Sequence, residues 1–191
     1  PMRSSAASDV YKRQADEGIR FDASLDKLAG LNPVTEGGVI TAGNASQITD
    51  GAAAVLVCND AGLKKIQSNP RAEIVSISVV GDDPVFMLTG PIPASIKALK
   101  TANLSIDDID LYEVNEAFAP VPLAWAEELK ADKSKLNVNG GAMALGHPLG
   151  ATGAKLMTTL LHEMERRESS YGLQAICEGG GTANATIIKR L

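Results

Sequence analysis

The pattern of apolar and polar positions predicts strands and helices that alternate over most of the chain. A continuous apolar run at residues 51–58 is bounded by Asp50 and Asn59, and it predicts a strand buried on both faces, with a helix possible at its alanine-rich start. Residues 74–80 alternate apolar residues with two serines, a pattern that predicts a second strand.

Helical periodicity and further strand patterns fill the second half of the chain. Helices are predicted over residues 93–102, 122–130 and 154–166, and strands over residues 109–114, 172–177 and 183–191. Ile96 and Leu99 share one face of the first helix, and Leu156, Leu160 and Met164 form one row on the last. This alternation predicts a layered α/β fold.

Composition narrows the possible functions. The 191 residues are 45% hydrophobic, with a formal charge of −5, two cysteines and no block of basic residues. An acidic chain of this kind is not expected to bind nucleic acid or an anionic membrane. No apolar run reaches the roughly 18 residues of a membrane span, and so few cysteines indicate a reducing compartment. We therefore predict a cytoplasmic protein.

The first 14 residues, PMRSSAASDVYKRQ, have no apolar periodicity. We expect them to be a disordered or non-native leader, outside the fold.

Three polar, glycine-rich segments follow predicted strands or loops, at residues 115–118, 137–153 and 177–181. Strand ends are where open α/β sheets usually bind their ligands. The second segment is not a phosphate loop, because Ala154 separates Gly153 from Lys155, and no dinucleotide-binding glycine motif opens a helix.

His147 lies between Gly146 and Pro148, which indicates an imidazole held on a rigid loop, although a loop histidine bonded only to backbone is an alternative. His162 falls on the polar side of its predicted helix, so we expect a solvated surface residue. One loop histidine and two separated cysteines make no metal-binding pattern.

Cys177 precedes three glycines, whose N–H groups could stabilise a thiolate or an oxyanion. The alternative is a small buried core residue. Glu178 would oppose thiolate formation unless it points away. Cys58 lies within the apolar run and is expected to fill a core.

Several motifs in a fixed order carry a resemblance to a known family. They are TAGNAS at 41–46 with DGAA at 50–53, GPIPAS at 90–95, NEAF at 115–118, NVNGG at 137–141 with GHPLG at 146–150, and CEGGG at 177–181. Together they make residues 15–191 resemble the C-terminal half of a thiolase, the acetyl-CoA acetyltransferase and 3-ketoacyl-CoA thiolase family. Each motif is weak alone, whereas the ordered set is specific.

The resemblance implies a thiolase-like layered fold, a mixed β-sheet with helices on both faces. Residues 15–60 would be the end of the loop region and the last strand of an N-terminal domain, and residues 61–191 the C-terminal domain. The family acts as CoA-dependent acyltransferases, cleaving 3-ketoacyl-CoA with CoA or running the reverse Claisen condensation.

The resemblance also implies catalytic roles for four residues. His147 would activate the nucleophilic thiol and help hold a thioester oxygen, and Asn115 would hold a water that completes this oxyanion hole. Cys177 would move the proton at the α-carbon, and the Gly179 N–H would contribute to a second oxyanion hole. The family's nucleophilic cysteine lies in the N-terminal half, so this chain is expected to be inactive alone.

Substrate contacts follow from the same resemblance. Ser46 and Ala42 would contact the CoA pantetheine, and Met87 and Phe118 would line the acyl site. CoA and acyl-CoA are thus the expected partners, as substrates, with no permanently bound cofactor and no metal. The full-length protein would form a homodimer or homotetramer.

Two alternatives stay open. One is a non-catalytic acyl-CoA-binding protein that kept the fold, and the other is a condensing enzyme related to ketoacyl synthases. Acyl chain length and a biosynthetic or degradative role also remain open.

Overall fold

A computed structural model describes residues 18–191, so the predicted leader at residues 1–14 lies outside the described residues. The helices are α1 (Leu25–Ala29), α2 (Asp60–Ile66), α3 (Pro91–Ala102), α4 (Pro120–Leu129), α5 (Ala142–Leu145) and α6 (Thr152–Arg167). The strands are β1 (Ala72–Gly81), β2 (Leu111–Val114), β3 (Tyr171–Glu178) and β4 (Thr182–Arg190). Single 3-10 turns occupy Ile106–Asp108 and Lys133–Lys135.

The four strands form one mixed sheet in the order β1-β4-β3-β2. β4 pairs antiparallel with both β1 and β3, whereas β2 pairs parallel with β3. Helices α3 and α4 pack on one face of this sheet, and α6 packs on the other. The predicted layered α/β fold, with a mixed sheet and helices on both faces, is confirmed.

The face of β1 that packs on α3 is lined by serines. Ser76 and Ser78 are buried, and their hydroxyls donate hydrogen bonds to the carbonyl oxygens of Ala98 (2.9 Å) and Ala94 (2.6 Å). Ile77 and Val79 point to the opposite, exposed face. The predicted alternation is therefore correct, and a helix backbone close to the sheet explains why small residues occupy its inner side.

The buried face of α3 differs from the apolar face that the sequence predicts. Leu99 is buried as expected, but Ile96 is exposed. The buried side consists of Pro91, Ala94, Ser95, Ala98 and Leu99. Ser95 is buried because its hydroxyl accepts the hydrogen bond of the Trp125 indole N–H at 2.9 Å. The side of α3 that faces the core is therefore the one with small residues against the sheet and with Ser95 as the partner of Trp125.

Helix α6 confirms its predicted row. Leu156, Leu160 and Met164 are buried, and Leu160 and Met164 pack on Leu111 and Ile188 of the sheet.

Residues 18–75 contain no buried side chain. The predicted buried strand at residues 51–58 is wrong, because this segment has neither helix nor strand and all of it is exposed, including Cys58. A buried strand needs neighbouring strands for its backbone hydrogen bonds. The one sheet formed by residues 18–191 is complete without this segment, so it finds no such neighbour there.

Gly172 of β3 lies directly against α6. A Cβ at this position would lie 2.5 Å from the Met164 sulfur and 2.9 Å from a Leu160 methyl carbon. We predict that Gly172→Ala lowers the free energy of unfolding by about 1–3 kcal/mol through overpacking, as measured by urea unfolding followed by Trp125 fluorescence. Gly81→Ala is the control, since no atom lies within 4 Å of its added Cβ. Equal stability of the two variants would contradict the prediction.

Candidate active site

The site begins where β2 ends beside β3. The register aligns Val114 with Ala175, and the next residue, Asn115, continues the pairing because its N–H donates to the Ala175 carbonyl at 3.0 Å. The two strands are parallel, so their carboxyl ends meet at one edge of the sheet. Cys177 lies two residues beyond Ala175 on β3. Two of the predicted catalytic residues therefore lie on neighbouring strand ends.

The loop that carries His147 is fixed by its backbone. The His147 N–H donates to the Gln47 carbonyl at 3.0 Å, and the Lys155 ammonium group donates to the carbonyls of Leu145 and Gly146, each at 3.1 Å. Gly146 has a φ of +82°, and a Cβ there would lie 2.5 Å from the Thr49 methyl carbon. Only glycine fits both requirements, and these contacts support the prediction that the imidazole is carried on a rigid loop.

The hydrogen bonds of the imidazole assign its tautomer. The Thr152 hydroxyl donates to the Pro148 carbonyl at 3.0 Å, so its oxygen accepts from His147 Nδ1–H at 2.6 Å. Nε2 is then unprotonated, and it faces the Asn115 side-chain amide N–H at 3.4 Å. The basic nitrogen of His147 thus points to the strand end, as a general base requires.

Burial holds the pKa of His147 below its ordinary value, and the positive charge of Lys155 acts in the same direction. Both effects favour the neutral imidazole, which is the form that can accept a proton. His162 is exposed on α6, as predicted, and its Nδ1–H donates to the Thr158 carbonyl at 2.8 Å.

Cys177 is partly buried at the end of β3. Burial raises the pKa of its thiol, and the negative charge of Glu178 raises it further. The Glu178 side chain is exposed and accepts a hydrogen bond from the Asn184 amide at 2.6 Å. Glu178 therefore opposes thiolate formation at Cys177, as expected, but burial raises the pKa of Cys177 more.

Gly179 opens the turn between β3 and β4. Gly179 is exposed, and no atom lies within 4 Å of where its Cβ would be.

A short extended segment brings two of the predicted substrate contacts to this edge. The Ser46 N–H donates to the Ala117 carbonyl at 3.0 Å, and Ala45 pairs with Phe118 as an isolated bridge. The same segment then pairs with His147 through Ile48. Ser46 and Phe118 are thus tied to the loops of Asn115 and His147. Ala42 is exposed in the preceding turn.

Met87 lies in the loop between β1 and α3. It is half-buried with a φ of +23°, and its N–H donates to the Asp83 carbonyl at 2.7 Å. The Asp82 N–H donates to the Gly181 carbonyl at 2.6 Å, so this loop is anchored on the turn that follows Cys177.

A cleft of about 400 Å³ opens beside His147. It lies between residues 49–53 and the start of α6, and its lining includes Asp50, Pro148 and Ala151. The exposed segment 51–53, predicted as part of a buried strand, forms one wall of this cleft.

Buried polar groups lie under the amino-terminal half of α6. Glu113, Asn115 and Gln174 are buried, and each has one side-chain oxygen without a hydrogen-bond partner among residues 18–191. Burial raises the pKa of Glu113 to about 8, helped by the negative charges of Glu116 and Glu163. Glu113 is therefore a neutral acid near pH 7, with an O–H that can donate.

Thr152 and Lys155 contact His147 and its loop, and the sequence reasoning did not single them out. Both lie on the first turn of α6, five and eight residues after His147, so the start of this helix packs against the preceding loop.

Among the described residues, no group of three or more potential metal ligands is present. Within the same part of the chain, no helix is long and apolar enough to cross a membrane.

Glu113→Gln tests the neutral acid. From the ordinary acid range up to about pH 8, the folded state keeps a proton that the unfolded state has released. The free energy of unfolding should therefore fall as pH rises across this window, by up to about 1.4 kcal/mol per pH unit. Glu113→Gln should remove this slope in urea unfolding from pH 5 to 9, whereas the exposed control Glu128→Gln should keep it. An unchanged slope in Glu113→Gln would contradict the assignment.

Lys155→Met tests the electrostatics of His147. Loss of the ammonium charge should raise the pKa of His147, measured by NMR titration of the imidazole. The chain has only two histidines, so His162→Gln assigns the signals. Lys100→Met, an exposed change on α3, should leave the pKa of His147 unchanged. A pKa of His147 that is the same in Lys155→Met and the parent would exclude Lys155 as a cause.

Known proteins are similar to this chain over most of its length. A family model of the thiolase C-terminal domain matches residues 68–190, and one of the thiolase N-terminal domain matches residues 1–61. The steroid 3-ketoacyl-CoA thiolase FadA6 of Mycobacterium tuberculosis is 61% identical over 93% of this chain and 44% of its own length. The acetyl-CoA acetyltransferase of Cupriavidus necator is 47% identical over 95% of this chain and 47% of its own length.

A solved structure has the same fold. The crystal structure of human mitochondrial 3-ketoacyl-CoA thiolase in complex with CoA superposes with a TM-score of 0.85, at 46% identity, over 93% of this chain and 45% of that one. The chain thus spans somewhat less than half the length of the relatives it matches. The family predicted from the ordered motifs is confirmed: this chain belongs to the thiolase family.

Proposed function

We propose that this chain supplies the acid–base half of a CoA-dependent acyltransferase that cleaves a 3-ketoacyl-CoA with CoA, or runs the reverse condensation. The observation that carries the proposal is the imidazole of His147, whose unprotonated Nε2 faces Asn115 at the strand edge that also carries Cys177. A loop histidine bonded only to backbone would not need this geometry.

His147 acts as the base toward a thiol. Its neutral form is favoured by burial and by Lys155, and Nδ1–H is held by Thr152. Nε2 can therefore take the S–H proton of an attacking thiol and return it later to the leaving thiolate. In its protonated form, the same nitrogen donates to a thioester oxygen.

Cys177 moves the proton at the α-carbon. In condensation its thiolate removes that proton, and in thiolysis its thiol returns it to the enolate of the released acyl-CoA. The raised pKa of Cys177 favours the thiol at rest, which suits the thiolysis direction. The N–H of the exposed Gly179 is the donor proposed for the second oxyanion, and Asn115 is proposed to hold the water of the first.

The nucleophile that carries the acyl group is proposed to lie outside this sequence. The sequence has two cysteines, and Cys58 is exposed just before α2, with no cationic side chain among residues 18–191 bonded to it. The chain alone should therefore show no turnover.

CoA enters as a substrate. Ser46 and Ala42 are proposed to contact its pantetheine, and Met87 and Phe118 to line the acyl site. Ser46 and Phe118 are anchored beside the His147 loop, which supports the assignment of Ser46 to the pantetheine and of Phe118 to the acyl site. The two relatives named above carry the names of a 3-ketoacyl-CoA thiolase and an acetyl-CoA acetyltransferase. The 61% identity to the 3-ketoacyl-CoA thiolase favours the degradative direction, which is thiolytic cleavage. A cytoplasmic homodimer or homotetramer is the proposed working form.

A chimaera tests the proposal. The chain should be fused behind the N-terminal half of the M. tuberculosis relative, and thiolysis of acetoacetyl-CoA and of longer 3-ketoacyl-CoA should be measured. We expect turnover that falls at least about 100-fold in His147→Ala and in Cys177→Ala, because each removes an acid–base group. His162→Gln is the matched control and should keep the parent rate.

Two results would overturn the proposal. Turnover by the chain alone, abolished by His147→Ala, would place the nucleophile within this sequence. A chimaera that binds CoA but turns over no 3-ketoacyl-CoA would favour the non-catalytic acyl-CoA-binding alternative.

A further inference from the structure

Glu116 connects the end of β2 to the loop that leads to His147. One carboxylate oxygen accepts from the Asn137 side-chain amide at 2.7 Å, and the other accepts from the Met143 N–H at 3.2 Å. Met143 lies in α5, the short helix that ends just before Gly146. The carboxylate of Glu116 therefore contacts the loop at two points, four and ten residues before His147.

Gly141 provides the space for this carboxylate. A Cβ at residue 141 would lie 2.0 Å from the Glu116 carboxyl carbon. The backbone of Gly141 has φ −108° and ψ −162°, which is extended and open to any residue. Glycine is thus needed here for contact with Glu116 and not for backbone conformation.

Asn137 fastens the start of the same loop to β2. Its side-chain oxygen accepts from the Val114 N–H and its amide donates to the Val114 carbonyl, both at 2.9 Å. The amide of Asn137 thus bridges Val114 and Glu116.

The direct contact between the two predicted catalytic side chains is weak by comparison. The Asn115 amide nitrogen and His147 Nε2 are 3.4 Å apart, at the long end of a hydrogen bond. Helix α5 has four residues and cannot hold its shape by itself. The contacts that dock residues 137–146 on the end of β2 therefore join the Gln47 and Lys155 hydrogen bonds in setting the spacing of Asn115 and His147.

We propose that Glu116 is a positioning residue, and that its carboxylate, seated against Gly141, sets the distance between Asn115 and His147. The importance of this distance for catalysis rests on the proposed function, whereas the role of Glu116 in setting the distance can be tested independently of it. A displaced carboxylate would free α5 from β2, and the His147 loop would then shift relative to Asn115 although its bonds to Gln47 and Lys155 remain.

NMR of the histidine imidazoles in the 191-residue chain tests the positioning role of Glu116 without any activity assay. In the parent, nitrogen chemical shifts should show His147 protonated at Nδ1. Gly141→Ala changes no charge and should displace Glu116, so we expect a lower Nδ1–H fraction at His147 and hydrogen exchange at the Met143 amide at least about tenfold faster. Glu116→Ala should give the same two changes.

Two controls separate positioning from general loss of structure. Gly150→Ala adds a methyl group near His147 where no atom lies within 4 Å, and it should change neither signal. The double variant Gly141→Ala with Glu116→Ala removes the clash, so its urea midpoint should exceed that of Gly141→Ala alone. The Nδ1–H fraction of His147 should nevertheless stay below that of the parent. If Gly141→Ala acted only through a steric clash with Glu116, the double variant would restore the parent value.

Trp125, the single tryptophan, reports whether each variant is folded. If Glu116→Ala does not fold, Glu116→Gln and Gly141→Ala decide by the same two readouts. Unchanged His147 tautomer and unchanged Met143 exchange in the folded variants would overturn the proposal. That outcome would leave the proposed acyltransferase function intact, because the chimaera assay tests it separately.

Discussion

The parallel pairing of β2 with β3 is the constraint on which the candidate site depends. These two strands are far apart in sequence, and parallel pairing places both carboxyl ends at one edge of the sheet. Asn115 extends the pairing by one residue, and Cys177 follows on the neighbouring strand. An antiparallel arrangement would have put these side chains at opposite edges. The antiparallel neighbour β4 then returns the chain through the turn of Gly179 to Gly181, which keeps that turn at the same edge.

Charges and buried polar groups secure the elements around this edge. Glu163 on α6 is buried, and its carboxylate is bonded by Arg166, Arg167 and the Asn139 side chain, which hold its pKa at about 2. This cluster ties the loop before α5 to the carboxyl-terminal half of α6, while Lys155 ties the loop before His147 to the first turn of the same helix. Helix α6 is thus both a core element and the frame for His147. Glu113 shows the opposite response to burial, since without a bonded cation its pKa rises.

The chain divides into a packed region and an unpacked one. From β1 onward a core forms on both faces of the sheet, whereas residues 18–75 bury no side chain. Apolar side chains such as Phe21 (92% exposed), Leu56 (75%) and Ile48 (84%) lie open in that segment. The segment is nevertheless tied to the site, because residues 44–48 pair with both the Phe118 and the His147 loops.

The sequence by itself determined the elements whose burial is local. The row of Leu156, Leu160 and Met164, the alternation in β1 and the glycine turns were readable because helix and strand periods are properties of neighbouring residues. The ordered motifs also identified the family, since glycine, proline and a few polar residues are required at fixed places. The tertiary structure alone decided the rest. Residues 51–58 are apolar enough for a buried strand but find no strand to pair with, and Ile96 is exposed because α3 presents Ser95 to Trp125. Thr152, Lys155 and Glu116 act on a loop through contacts that depend on how the helices and strands pack, which no local pattern encodes.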